Sequence, residues 1–135
     1  MYKIEGDTVI FDDKFNDVLT EDILNEISKY PKIEFGWNFN QRIDNLYQGL
    51  ESLKLNGLFN QPIDNLPQGL KKLNISGYFN QPIDFLPSSL EKLIFCTPNY
   101  SYDLLNLPSN LKKITVCYNY KGQIVRPPNC EKIEF

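Results

Sequence analysis

Histidine and alanine are both missing from this chain of 135 residues. Without histidine, a serine or cysteine nucleophile lacks its usual general base and zinc lacks its commonest nitrogen ligand, so nucleophilic and zinc chemistry lose their ordinary means. Arginine is scarce, occurring only as Arg42 and Arg126, and the net charge is -3. That balance argues against nucleic acid as a partner, since affinity for phosphate backbones comes from many cations displacing counterions. Cysteine is limited to three residues, an odd number with no disulfide-framework spacing. The expectation is free thiols in a reducing, cytoplasmic setting. No run approaches the roughly 20 apolar residues of a membrane span. Glu5, Asp7, Asp12 and Asp13 interrupt any signal-peptide core at the start, so no membrane role is expected. With no alanine, the 41% hydrophobic content is carried by large side chains that can fill a core layer by layer.

What the chain has instead is repetition. Phe39-Asn40-Gln41-Arg42-Ile43-Asp44 recurs as Phe59-Asn60-Gln61-Pro62-Ile63-Asp64 and as Phe79-Asn80-Gln81-Pro82-Ile83-Asp84, at a spacing of 20. Each phrase leads into Leu-x-x-Leu-x-(Leu/Ile/Phe). Asn56 to Ile75 set against Ser76 to Phe95 gives twelve identities in twenty positions. A unit this short cannot bury its own apolar side chains and must stack on its neighbours to make a core.

Taken in order, Tyr2-Lys3-Ile4-Glu5 and Thr8-Val9-Ile10-Phe11 flank Gly6-Asp7 and read as a hairpin. Thr20 to Tyr30 reads as a helix of about three turns, with Thr20 as N-cap, acids in the first turn, Lys29 in the last and Pro31 as the stop. Val9 and Phe11 precede Ile33 and Phe35 by 24 residues, so residues 1 to 35 form a divergent first coil that caps the stack. Beyond it, Ile33/Phe35, Leu53/Leu55, Leu73/Ile75, Leu93/Phe95, Ile114/Val116 and Ile133/Phe135 are period-two pairs, each a strand with one buried side. Counted strand to strand, the five coils have 20, 20, 20, 21 and 19 residues. Proline recurs where each coil turns back at Pro67, Pro87, Pro108 and Pro127, which predicts extended or single-turn backbone on the outer side. The fold class is an α/β repeat: one domain over 1 to 135, a short curved solenoid with a single parallel sheet and a hairpin-plus-helix cap.

The Leu-x-x-Leu-x-Leu phrase in a repeat of this length resembles the leucine-rich repeat. More narrowly, Gly-x-Phe-Asn-Gln-Pro-Ile at 57 to 63 and 77 to 83, with Leu-Pro-x-x-Leu at 66 to 70 and 86 to 90, resembles the FNIP repeat. The likeness weakens at Tyr100 and Tyr120, where the phrase becomes Tyr-Ser-Tyr-Asp-Leu and Tyr-Lys-Gly-Gln-Ile. FNIP repeats occur in social amoebae and in giant viruses of protists, some with an F-box, for which the capping residues 1 to 35 leave no room. The resemblance implies a non-enzymatic interaction scaffold without cofactor, in host cytoplasm if viral.

The exposed strand positions are the candidate binding surface. They include Lys32, Lys54, Lys72, Asn74, Lys92, Ile94, Lys113, Thr115 and Lys132, with Glu34 and Glu134 as the acids among them. Lysines stacked at strand spacing repel by about 0.2–1 kcal/mol per adjacent pair, which an acidic protein partner would relieve. Lysine on an exposed sheet also simply keeps that surface hydrated. Asn40, Asn60 and Asn80, with Gln41, Gln61 and Gln81, read as structural ladders, as do Phe39, Phe59 and Phe79. Asp44, Asp64 and Asp84 suit turn amides better than calcium, which wants six to eight oxygens, and no metal is expected. Cys96 and Cys117 follow equivalent strand residues and should be neighbours. Trp37 stands where later coils place glycine, either covering the step from cap to coil or serving as a binding anchor. Two functions remain: protein binding through the sheet, or self-assembly, such as a homodimer through the C-terminal strand edge.

Overall fold

The computed structural model describes residues 1–134. Eight strands form one sheet in chain order: β1 (Tyr2–Glu5), β2 (Thr8–Phe11), β3 (Lys32–Glu34), β4 (Ser52–Leu55), β5 (Lys72–Ser76), β6 (Lys92–Cys96), β7 (Lys113–Val116) and β8 (Glu131–Glu134). β1 and β2 are antiparallel around Gly6, whose φ of +61° is the conformation a two-residue turn asks of glycine. Every later pairing is parallel, and Val9 sits beside Ile33 as the 24-residue offset requires. Helix α1 (Glu21–Ile27) begins at Thr20, whose hydroxyl accepts from the Ile23 amide. It is shorter than three turns and leaves Lys29 outside. Tyr30 instead donates its amide to the Ile27 carbonyl, and Pro31 keeps Tyr30 from continuing the helix.

Parallel strands in register turn each repeated residue into a column. Ile33, Leu53, Leu73, Leu93 and Ile114 are neighbours on the buried face, each at most 1% exposed. The phenylalanine column stacks nearly flat: ring centroids are 5.9 Å apart for Phe15–Phe39, 6.1 Å for Phe39–Phe59 and 6.1 Å for Phe59–Phe79. Tyr100 continues it at 6.3 Å, and Tyr120 is tilted by 39°. Among the described residues, the stretches joining β3 to β8 contain turns and extended backbone but no helix.

Backbone groups on the outer side are satisfied by the amide ladder. Asn16 Oδ1 accepts from the Asn40 amide, Asn40 Oδ1 from Asn60, Asn60 Oδ1 from Asn80, and Asn80 Oδ1 from Ser101, all at 2.8–2.9 Å. Gln41, Gln61 and Gln81 each donate Nε2 to the carbonyl and side-chain oxygens of the asparagine one coil earlier. Each rung therefore serves its neighbour rather than its own turn.

The last coils depart from this pattern. The coil after β6 has one added residue before Tyr100, and there the Thr97 hydroxyl is buried with no hydrogen-bond partner among the described residues. Outside the sheet, Leu104 and Ile124 form a small parallel bridge of their own, and Asp103 Oδ1 accepts from the Gln123 amide. Tyr100 and Tyr120 close their coils by donating hydroxyls to the carbonyls of Gln81 and Tyr102. Burial holds both phenols above the ordinary tyrosine range.

The final strand corrects the expected register. Cys130 keeps the turn bond to Pro127, but Glu131 pairs with Lys113, 18 residues on, so Ile133 lies beside Thr115 rather than Ile114. A slip of one residue exchanges the two faces of a strand. Lys132 and Glu134 thus sit on the core side of the sheet's end, paired with each other. Asn129, at φ 65°, makes the tight entry that starts the strand early. Phe135, expected as the second apolar residue of this pair, lies outside the described residues.

Candidate functional site

The exposed face of the sheet carries Lys32, Lys54, Lys72, Lys92 and Lys113, because each alternates with a buried residue on its strand. Lys132 does not belong to it, as the register of β8 requires. Asn74 and Ile94 are half-buried neighbours in the next column. Thr115, expected to be exposed, is only 6% accessible, because the slipped β8 brings Ile133 alongside. Acidic residues on this face are Glu34 and, beside Lys113, Glu131.

The five lysines are not equivalent. Lys32 Nζ lies 3.0 Å from Asp7, held there by the hairpin turn, and Lys54 Nζ lies 3.7 Å from Glu34. The Lys32 ammonium holds the Asp7 carboxyl below the usual carboxylate range. Among the described residues, Lys72, Lys92 and Lys113 form no ion pair. They are register partners on successive strands, so their stems leave the sheet about 4.8 Å apart.

A second charge column runs one residue ahead of the strands, outside the period-two pairs. Glu51, Lys71, Glu91 and Lys112 alternate in sign, with Glu51 bridged to Lys71 at 3.7 Å and Glu91 to Lys112 at 3.2 Å. The strand alternation does not include this position, yet spacings of 20 and 21 exposed it. Its charges cancel internally, whereas those of the adjacent lysine column do not. A hollow of about 520 Å³ lies over β2 to β5, lined by residues that include Lys32, Lys54, Lys71 and Lys72.

Of the three repeat aspartates, Asp44 and Asp84 have side-chain partners. Asp44 is bridged by Arg42, which holds its carboxyl below the ordinary range, and accepts from the Asn65 side chain at 3.3 Å. Asp84 accepts from Asn106 at 2.9 Å. These donors are side-chain amides of the following coil, not the turn backbone amides expected. Among the described residues, no group of three or more potential metal-ligating side chains is assembled. Cys96 and Cys117 form a disulfide, which overturns the expectation of free thiols. Strand pairing brings their Cα atoms to 4.9 Å, inside the range a disulfide spans without backbone movement. Cys130 is a free, buried thiol whose pKa is raised by burial. Trp37 is half exposed at the rim where the strands end.

These features define a parallel-sheet solenoid of about six turns, with an antiparallel hairpin and one short helix at its N-terminal end. Residues 59–97 match the family model described as FNIP Repeat, a span holding two of the three phrases. A solved structure described as CroV588, a novel circular LRR protein structure, is similar at 22% identity and a TM-score of 0.38, over 99% of this chain and 34% of that one. The chain spans about a third of the length of that structure. No curated protein matches.

Proposed function

We propose that the chain is a non-enzymatic protein-interaction module that takes an acidic partner on the exposed sheet face, through Lys72, Lys92 and Lys113. The observation supporting this is a contrast on one face: Lys32 and Lys54 are bridged to acids, while among the described residues Lys72, Lys92 and Lys113 form no ion pair, with Glu131 the one acid beside them in register. Asn74 and Ile94 beside them add an amide and an apolar surface. Three like charges in register are mutually repulsive by about 0.2–1 kcal/mol per neighbouring pair, and carboxylates from a partner convert that cost into attraction. The test is capture of acidic proteins by the wild type and by Lys72→Glu/Lys92→Glu/Lys113→Glu. The variant is expected to lose partners that moderate salt also releases from the wild type. Unchanged capture would move the site to the outer or end surfaces.

Pairing of two copies through β8 is the other reading. It is disfavoured by the charges of Glu131, Lys132 and Glu134 on that strand, since charged edges resist pairing. Light scattering at a concentration-independent 15.8 kDa would end it.

A further inference from the structure

The lysine face is bordered by an aromatic rim at the C-terminal ends of the strands. Trp37 is 50% exposed and Tyr78 63%, and their rings meet edge to face at 6.4 Å although they belong to coils two repeats apart. That reach depends on the coil between them. Gly57, at φ +58°, lies so close beneath Trp37 that a Cβ there would collide with the Trp37 carbonyl and indole. Gly77, at φ +85°, in turn packs its backbone against Gly57. The two glycines form a floor without side chains beside the indole. Trp37, Tyr78, Cys96, Pro98 and Asn99 then enclose a cleft of about 350 Å³ above Gly77. That volume is in the range of sites that bury a compact apolar group, and tryptophan and tyrosine are the side chains that most often anchor such contacts.

The cleft and the unpaired lysines lie at opposite ends of the same strands. β5 starts at Lys72 and Tyr78 follows just beyond its end; β6 starts at Lys92 and ends at Cys96, which lines the cleft. At about 3.3 Å per residue, four or five residues of extended chain separate the two features, roughly 13–17 Å. Asn74 and Ile94 occupy the ground between.

We infer that the partner is an extended segment whose carboxylates meet Lys72, Lys92 and Lys113 and whose single large apolar side chain, four or five residues away, enters the cleft between Trp37 and Tyr78. This deepens the proposed function and rests on it: the uncompensated positive charge selects an acidic segment, and the rim adds the requirement for an apolar residue at a fixed distance. An acidic chain without that residue gains only the screened, exposed part of the interaction.

The test is selection of random linear peptides on the intact chain. Selected peptides are then titrated against wild type, Tyr78→Ser and Lys72→Glu/Lys92→Glu/Lys113→Glu. Tyr78 is exposed enough to be replaced without disturbing the core. Trp37 is the only tryptophan, so its emission reports on the cleft directly. The expected peptides carry an acidic block and a large apolar residue four or five positions away. They shift Trp37 emission, lose about tenfold in affinity on Tyr78→Ser, and lose binding on the lysine variant. Acidic peptides that depend on the lysines but have no apolar preference, and bind Tyr78→Ser as tightly as wild type, would overturn the inference and leave the proposed function standing. Selected peptides indifferent to the lysine variant, or no selected peptides at all, would overturn both.

Discussion

The two halves of the sheet share one repeat and use it differently. From β2 to β4 the polar groups are committed internally: Asp7 and Glu34 hold Lys32 and Lys54, and asparagine and glutamine side chains tie each outer turn to the one before. From β5 to β7 the face lysines form no ion pair among the described residues, the amide ladder ends at Ser101, and closure passes to tyrosine hydroxyls and a disulfide. In a solenoid, stability is close to a sum over coils and their neighbours, so one part can carry the regular packing while another departs from it. The regular coils hold the stack together, and the face lysines of β5 to β7 are left without ion pairs among the described residues.

Phe59→Ala breaks the regular half where it is most complete. The ring is 1% exposed and stacked on both sides, so the loss is about 3–5 kcal/mol in urea unfolding. Tyr120→Ala, at a tilted and partly exposed position, is expected to cost clearly less. Equal losses would mean that the later coils are as tightly coupled as the earlier ones.

Cys96→Ser/Cys117→Ser sharpens the other side of the comparison. Opening a link across 21 residues removes about 3 kcal/mol by loop-closure entropy. Hydrogen exchange should rise mainly in β6 to β8. The wild type should titrate with one free thiol, Cys130, under denaturing, non-reducing conditions; three would contradict the disulfide.

The smallest effects test the charge contrast itself. Lys92→Gln removes a repelling neighbour and should stabilise by a few tenths of a kcal/mol at low salt. Lys54→Gln removes an exposed ion pair and should be neutral or slightly destabilising, both differences fading as salt is added. Effects of one sign at both positions would erase the distinction between the halves.

Much of this architecture was legible in the residues, for reasons that can be named. The columns of Phe39, Phe59 and Phe79 and of Asn40, Asn60 and Asn80 follow from identical spacing, because parallel strands of equal coils leave like residues no other neighbour. The first coil followed from the 24-residue offset of Val9 and Ile33. The end was less legible. Glu131-Lys132-Ile133-Glu134 reads as a strand in either of two frames, and the backbone at Asn129 selects the frame in which Lys132 leaves the binding face. Adjacency of Cys96 and Cys117 could be read from spacing, but their bonded state could not. The distinction among the lysines was also hidden. Asp7 reaches Lys32 from a hairpin turn, and the Glu51-Lys71-Glu91-Lys112 column lies one step outside the alternation.

The most direct measurement compares two charge reversals on one captured acidic partner, by titration at low and moderate salt. Lys72→Glu/Lys92→Glu/Lys113→Glu should abolish salt-sensitive binding, while Lys32→Glu/Lys54→Glu, whose ammonium groups already have acids, should leave most of it. Equal losses from both variants, or a greater loss from the second, would contradict the account.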